Sequence, residues 1–333
     1  MTDRQQAPSG EDSLIARYFR PLATDPGAFG LVDDAAILQA GGDEIVVTTD
    51  AIVEGVHFLP GDPPDSIARK ALRVNLSDLA AKGAAPAGFV LTLALRTQED
   101  GWLTPFARAL GEDARLFDCP LLGGDTVSTP GPAMISVTAF GRVAPGRMVR
   151  RSGAKPGDRI VVTGTIGDAA LGLDILKGGV VATALAQDTA ASQLLVGRYR
   201  EPQPRNALAP AVRDHASAAM DVSDGLAGDL EKLCAASGVS AVVESKSIPL
   251  SAAAATLLAR GTVGIEVIVS GGDDYEILCA IPEAGFAAFA QAAQLAGVAV
   301  TSIGTVIAGM SAPRFLDTKG REIALKRLSY SHF

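Results

Sequence analysis

Short runs of apolar and β-branched residues alternate along the chain with longer segments of helical periodicity. The runs predict strands at residues 45–49, 88–95, 134–140, 159–163, 241–244 and 266–270. Segments whose apolar residues recur every three or four positions predict helices at about residues 66–81, 102–117, 169–176, 207–217, 226–236 and 283–295. Strands and helices do not alternate strictly, which favours an α+β arrangement over a doubly wound parallel sheet.

A turn-rich, basic segment at residues 142–157 is the best candidate for a domain boundary. The chain has 333 residues, of which 48% are hydrophobic, and this is enough for two domains that each bury a core. We therefore predict a first domain at about residues 1–147 and a second at about residues 148–333.

Charge and cysteine content exclude several classes of protein. With 29 basic and 37 acidic residues the chain has a net charge of -8, the wrong sign for a generic nucleic-acid binder. The cysteines Cys119, Cys234 and Cys279 are odd in number and far apart, which predicts a reduced, cytoplasmic chain. The N-terminus is polar, and no apolar stretch reaches the roughly 18 to 20 residues that span a bilayer. We expect neither secretion nor a membrane span.

The positions of the aspartates are the most informative feature. Several follow apolar runs or glycines, where strands are predicted to end: Asp50, Asp125, Asp221, Asp224 and the pair Asp273-Asp274. A rigid sheet holds such side chains and leaves them open to a cleft. Carboxylates suit Mg²⁺, and an acidic protein that acts on phosphates needs metal ions for positive charge. Any one of these residues could instead be a turn or helix-cap residue, but five similar positions weaken that alternative.

Two further residues allow two interpretations each. Asp78 lies on a flank of the helix at 66–81, either paired with Lys82 at the surface or aimed into a cleft beside Asp50. His57 is either a packed, hydrogen-bonded residue or a ligand.

The glycine-rich segment at 163–172 lacks the Lys-Ser/Thr of a phosphate-binding P-loop.

Taken together, the aspartate segments resemble the thiamine-monophosphate kinase family, in the superfamily that includes aminoimidazole ribonucleotide synthetase and selenophosphate synthetase. The matching blocks occur in the family's order: Val32-Asp-Asp-Ala-Ala36, Thr48-Thr-Asp50, Glu54-Gly-Val-His-Phe58, Asn75-Leu-Ser-Asp-Leu-Ala-Ala81, Gly123-Gly-Asp-Thr126, Arg151-Ser-Gly-Ala-Lys-Pro-Gly-Asp158, Asp221-Val-Ser-Asp-Gly-Leu226 and Gly271-Gly-Asp-Asp-Tyr-Glu276.

This resemblance implies roles for individual residues. It implies magnesium ligation by Asp34, Thr48, Thr49, Asp50, Asp78, Asp125, Asp221 and Asp224. It implies ATP contacts from Gly124, Asp125, Arg151 and Ser223, and contacts to thiamine monophosphate from His57, Asp273 and Tyr330. No side chain is expected to act as a catalytic acid or base, because the phosphate acceptor is already ionised near neutral pH. From context alone, Arg151 could instead be a hinge residue in a basic linker.

The resemblance also implies a reaction and a fold. ATP would phosphorylate thiamine monophosphate to thiamine diphosphate, the last step in making that cofactor, by direct in-line transfer assisted by several magnesium ions. The fold would be a two-domain, synthetase-like α+β fold. Its N-terminal mixed sheet with helices would form a barrel across a homodimer, and an α+β domain would follow.

Three positions depart from the family pattern: Val32, Lys82 and Asp273. Lys82 replaces a typical Met and is expected at the surface, while Asp273 is one methylene shorter than the usual Glu. Selenophosphate synthetase would need a reactive cysteine near the N-terminus, and the first here is Cys119. The ribonucleotide synthetase lacks the full Asn-Leu-Ser-Asp and Gly-Gly-acid-Asp-Tyr set. A binding protein without turnover is disfavoured because every carboxylate of the pattern is present.

Overall fold

The computed structural model describes residues 14–26, 28, 38–326 and 328–329. The chain divides into two compact units: Met1–Asn75 with Pro86–Arg142, and Leu76–Ala85 with Val143–Phe333. The domain division at residue 147 stays a prediction. The two units separate at Arg142/Val143, and the second also contains the short segment from Leu76 to Ala85.

The first unit is built on a four-stranded mixed sheet with helices. Its elements are β1 (Glu44–Val53), α1 (Pro64–Ala81, which continues into the second unit), β2 (Ala85–Leu95), α2 (Asp100–Leu116), β3 (Leu121–Ser128) and β4 (Met134–Val143). The strand order is β1-β4-β2-β3, with β2 and β3 parallel. Buried and half-buried residues alternate along β4, so one face of this strand packs into the core.

Helices α1 and α2 are joined through a buried carboxylate. Asp113 of α2 has no exposed surface and accepts hydrogen bonds from Arg73 at 2.6 Å and from Arg69 at 2.6 Å, both on α1. A buried charge is tolerated only when it is paired in this way.

The second unit is built on a six-stranded sheet of order β10-β7-β9-β5-β8-β6, antiparallel except for the β10–β7 pair. Its strands are β5 (Arg159–Thr163), β6 (Ala218–Val222), β7 (Ser240–Glu244), β8 (Glu276–Ile281), β9 (Val300–Ile307) and β10 (Arg314–Leu316). Its helices are α3 (Asp168–Leu176), α4 (Val180–Ala184), α5 (Thr189–Arg200), α6 (Ala209–His215), α7 (Leu226–Ser237), α8 (Ala252–Ala259), α9 (Ile265–Ser270) and α10 (Phe286–Leu295).

The central strands of this sheet are buried on both faces. Ile160 and Leu278 belong to one core cluster, while their neighbours Val161 and Ile277 belong to another on the opposite face. Strands buried on both sides read as continuous apolar runs, which explains why residues 159–163 were predictable as a strand.

The α+β class is confirmed, but one predicted strand is wrong. Residues 266–270 lie in the short helix α9, whose Ile268 and Val269 are buried. A short β-branched run fits a buried helix as well as a strand, and periodicity alone does not separate them. In the described part of the chain, no helix is long and apolar enough to cross a membrane.

Candidate active site

One edge of the first unit's sheet carries three of the predicted ligands. Thr48, Thr49 and Asp50 lie within β1, an edge strand, so the expectation that Asp50 ends its strand is wrong. Thr49 contacts the neighbouring strand β4, donating to the carbonyl of Val137 at 3.2 Å and sharing a 2.9 Å hydrogen bond with the Thr138 hydroxyl. Asp50 is exposed, so this edge presents hydroxyl and carboxylate oxygens.

The opposite edge of the same sheet carries another predicted magnesium ligand. Asp125 lies within β3 and not, as expected, at its end; it is next to Thr92 of β2 in the parallel register and is exposed. Its carboxylate makes no hydrogen bond or ion pair within the described residues. Strands β4 and β2 separate the two edges, and three strand spacings amount to about 14 Å. One copy of the sheet therefore cannot bring Asp50 and Asp125 onto the same ion.

Strand packing, independent of any ligand, explains why position 124 is a glycine. A Cβ at Gly124 would approach the Leu91 carbonyl oxygen to 2.0 Å, whereas a Cβ at Gly123 would meet only Val90, at 4.0 Å. The close pairing of β3 with β2 therefore requires glycine at position 124, and this pairing fixes the backbone beside Asp125.

His57 is held by the turn that follows β1. Its Nδ1 accepts a hydrogen bond from the Val53 N–H at 3.1 Å, and its backbone carbonyl accepts one from the buried Lys70 ammonium at 2.9 Å. An Nδ1 that accepts belongs to a neutral ring protonated at Nε2. This imidazole is oriented as a hydrogen-bond donor.

In the second unit, Lys82 lies among several predicted site residues. Its side chain is partly buried, and its ammonium donates to the Ala219 carbonyl at 2.9 Å, two residues before Asp221. Burial lowers the pKa of Lys82, opposed by the charges of Asp221 and Asp78, and the positive charge of Arg151 lowers it further. The expectation that Lys82 is a surface residue is therefore wrong.

The loop after β6 is fixed by a carboxylate that the sequence did not single out. Asp229, on the first turn of α7, is fully buried and accepts from the backbone N–H groups of Ser223 at 3.0 Å and Asp224 at 2.9 Å. Lys232 donates to Asp224 at 2.5 Å and to Asp229 at 2.8 Å. A side-chain ammonium thus already contacts Asp224, which shows that this carboxylate can face a cation.

The loop Gly271–Tyr275 lies against the loop after β6. The Asp273 N–H donates to the Ser223 carbonyl and the Tyr275 N–H to the Val222 carbonyl, both at 2.8 Å. The Tyr275 hydroxyl donates to the Asp273 carboxylate at 3.3 Å. Asp273 follows helix α9 and not a strand, so the expectation for this residue is also corrected.

Beneath this loop is an ionic cluster that the sequence did not predict. Glu276, at the start of β8, has no exposed surface. Its carboxylate accepts from Arg198 at 2.6 Å, from Arg205 at 2.5 Å and from the Thr163 hydroxyl at 2.6 Å. Both arginines are mostly buried, so the cluster anchors one end of the loop.

The remaining predicted positions have different outcomes. Asp34 and Tyr330 lie outside the described residues. Arg151 is exposed, in keeping with either interpretation. Within the described part of the chain, no three His, Cys, Asp or Glu side chains form a group that could hold a metal ion. The carboxylate and hydroxyl oxygens of Thr48, Asp50 and Asp125 are nevertheless the donor type that magnesium prefers.

The cysteines are unsuited to nucleophilic chemistry. Cys119, Cys234 and Cys279 are free and buried. Burial raises the pKa of Cys119 and of Cys279 to about 12 and that of Cys234 to about 11, so all three are thiols near neutral pH. This argues against chemistry that depends on a reactive cysteine.

Comparison with known proteins gives a consistent family. Residues 32–143 match the family model for the N-terminal domain of AIR synthase related proteins, and residues 155–312 match the model for their C-terminal domain. The thiamine-monophosphate kinase of Caulobacter vibrioides is 45% identical over 332 residues, which cover 98% of this chain and 92% of the relative.

Solved structures agree. The crystal structure of thiamine-monophosphate kinase from Stenotrophomonas maltophilia matches with a TM-score of 0.80 and 37% identity, covering 94% of this chain and 96% of that one. A complex of AaThiL with AMPPCP and TMP matches with a TM-score of 0.76 and 28% identity, covering 92% and 97% of the two chains.

Proposed function

The chain belongs to the thiamine-monophosphate kinase family, and we propose that it transfers the γ-phosphoryl group of ATP directly, in line, to its acceptor. The acceptor is the phosphate group of thiamine monophosphate and the product is thiamine diphosphate. ATP is the co-substrate. Because the acceptor oxygen is already ionised near neutral pH, the transfer needs no general base and no phosphoenzyme.

The observation that carries this proposal is the contact between two loops of the second unit. Through the Asp273 N–H and the Ser223 carbonyl, a residue assigned to the acceptor lies next to one assigned to ATP. Direct transfer requires donor and acceptor to be held side by side, and this contact supports such an arrangement.

We assign the remaining contacts by the type of side chain. Gly124, Asp125, Arg151 and Ser223 contact ATP, where the forked guanidinium of Arg151 suits phosphate oxygens. His57, Asp273 and Tyr330 contact thiamine monophosphate, His57 as a neutral donor from Nε2. These side chains position the two reactants and do not take part in proton transfer, because the attacking oxygen belongs to the ionised phosphate of the acceptor.

We further assign magnesium ligation to the oxygen-donor side chains Asp34, Thr48, Thr49, Asp50, Asp78, Asp125, Asp221 and Asp224. When bound, magnesium supplies the positive charge that this acidic chain lacks for two phosphate-bearing reactants. Their donor chemistry supports the assignment.

We further propose that the protein is a homodimer. Asp50 and Asp125 lie on opposite edge strands of one sheet, and the edge residues Val47 and Val127 are 58% and 44% exposed. Exposed edge strands are ready to pair with another chain. A second copy that places its β1 edge beside this copy's β3 edge would close a barrel and bring the two carboxylates together. We also place the enzyme in the cytoplasm, where its buried thiols stay reduced.

Direct transfer is tested by the stereochemistry at phosphorus. With ATP made chiral at its γ-phosphorus by oxygen isotopes, a single in-line displacement is expected to invert that centre in the thiamine diphosphate product. Retention of configuration would require two displacements and hence a phosphoenzyme, and would overturn the direct route.

A further inference from the structure

The loop Asp273–Tyr275 contains an unusual backbone. Asp273 has a φ of 71° and Tyr275 a φ of 50°, and both therefore lie in the left-handed region that favours glycine. Such conformations persist only where surrounding contacts hold them, and they concentrate at functional sites.

The residue between them is the anchor. Asp274 is 1% exposed, and its carboxylate accepts from the Gly167 N–H at 2.8 Å and weakly from the Ala169 N–H at 3.5 Å. These groups lie at the start of α3, where backbone N–H groups lack partners within the helix. The Asp274 carbonyl also accepts from Arg198 at 3.4 Å, which links the loop to the Glu276 cluster.

Tyr275 holds the other side of the loop. It is 9% exposed, its N–H bonds the Val222 carbonyl at 2.8 Å, and its hydroxyl donates to the Asp273 carboxylate at 3.3 Å. The direction of the Asp273 side chain is therefore set by two residues whose own side chains are buried.

We propose that Asp274 and Tyr275 are positioning residues that aim the Asp273 carboxylate at the cationic, amino-bearing ring portion of the acceptor. A carboxylate repels the phosphate end of thiamine monophosphate but pairs favourably with its thiazolium cation and its aminopyrimidine amine. This inference rests on the proposed function, and it names the part of the acceptor that the Gly271–Tyr275 loop recognises.

The test compares KM for the two substrates. Asp273→Asn keeps the left-handed backbone, because Asn tolerates it, and is expected to raise KM for thiamine monophosphate about tenfold. Asp274→Ala is expected to raise the same KM about tenfold, while KM for ATP stays within about twofold. Asp274→Asn should raise this KM much less than Asp274→Ala, since its amide oxygen can still accept from the Gly167 N–H.

Asp168→Ala is the matched control. Asp168 is 1% exposed at the start of the same helix, but its carboxylate accepts from Thr165 and Ser251, both at 2.6 Å, and from no residue of the loop. It should lower stability as Asp274→Ala does, without changing KM for thiamine monophosphate. A general loss of helix packing would instead affect both variants alike.

The double variant Asp273→Asn/Asp274→Ala decides whether Asp274 acts through Asp273. Positioning predicts that its KM is no higher than that of the more affected single variant, because residues that act through one group are not additive. If the rise in KM of the double variant equals the product of the two single-variant rises, the inference is overturned. Should Asp274→Ala not fold, Tyr275→Phe decides, with an expected rise in KM for thiamine monophosphate and none for ATP.

The outcomes separate this inference from the proposed function. Suppose that Asp273→Asn raises KM for thiamine monophosphate but Asp274→Ala and Tyr275→Phe leave it unchanged. The positioning roles of Asp274 and Tyr275 are then wrong, while the contact of Asp273 with the acceptor is supported. If Asp273→Asn itself leaves that KM unchanged, the acceptor contact is wrong as well.

Discussion

Asp125→Asn is expected to lower kcat at least about a hundredfold while leaving the fold intact. Asp125 is exposed on edge strand β3 and its carboxylate makes no hydrogen bond or ion pair in the described part of the chain, so its charge contributes little to stability. In a reaction between two phosphate-bearing molecules, loss of a cation-binding carboxylate removes charge neutralisation in the transition state. Steady-state kinetics and circular dichroism measure the two effects.

Asp118→Asn is the matched control for that variant. Asp118 is also exposed, precedes the same strand, and has a left-handed φ of 50°, which Asn accepts. Its kcat should equal that of the parent. Calorimetric titration with Mn²⁺ gives a readout besides activity, and weaker binding is expected only for Asp125→Asn. Equal kcat for Asp125→Asn and the parent would contradict the assigned role.

Glu276→Gln is expected to lower the free energy of unfolding by about 3 to 5 kcal/mol, because it leaves two mostly buried guanidinium groups without their counter-charge. Glu276 has no exposed surface, and the side chains of Arg198 and Arg205 are 15% and 22% exposed. Urea denaturation of parent and variant measures the difference.

Glu283→Gln is the control for the buried cluster. Glu283 pairs with Arg159 at 2.6 Å in a similar geometry, but its side chain is 65% exposed. Water solvates both groups once this pair is broken, so the unfolding midpoint should hardly move. Equal destabilisation by the two substitutions would show that burial of the Glu276 cluster does not govern its contribution.

The sequence predicted several elements whose pattern is local, although strands β8 and β9 were not predicted. The helix at 66–81 and the strands at 134–140 and 159–163 correspond to α1, β4 and β5, because one- or two-sided burial gives each a clear period. Strand β3 escaped prediction because its Gly123-Gly124 pair is typical of a turn. Only the close approach to β2 explains glycines inside a strand.

The candidate site divides in the same way. The aspartate segments were visible because each stands beside an apolar run or glycines. The buried partners of Glu276 and Asp274 were not predictable, because they lie far away in sequence: Thr163 is 113 residues from Glu276, and Gly167 is 107 residues from Asp274. Lys82 was misplaced for a similar reason, since the carbonyl that binds its ammonium belongs to Ala219, 137 residues away.

The acceptor of the phosphoryl group is a phosphate and not an alcohol. The most direct measurement compares kcat/KM for thiamine monophosphate and free thiamine, with ATP and Mg²⁺, by separating the phosphorylated products. Free thiamine offers an un-ionised hydroxyl, which would need a general base, and none is assigned among the site residues. We expect thiamine diphosphate from thiamine monophosphate and little product from thiamine. Comparable kcat/KM values for the two acceptors would contradict transfer to a phosphate acceptor.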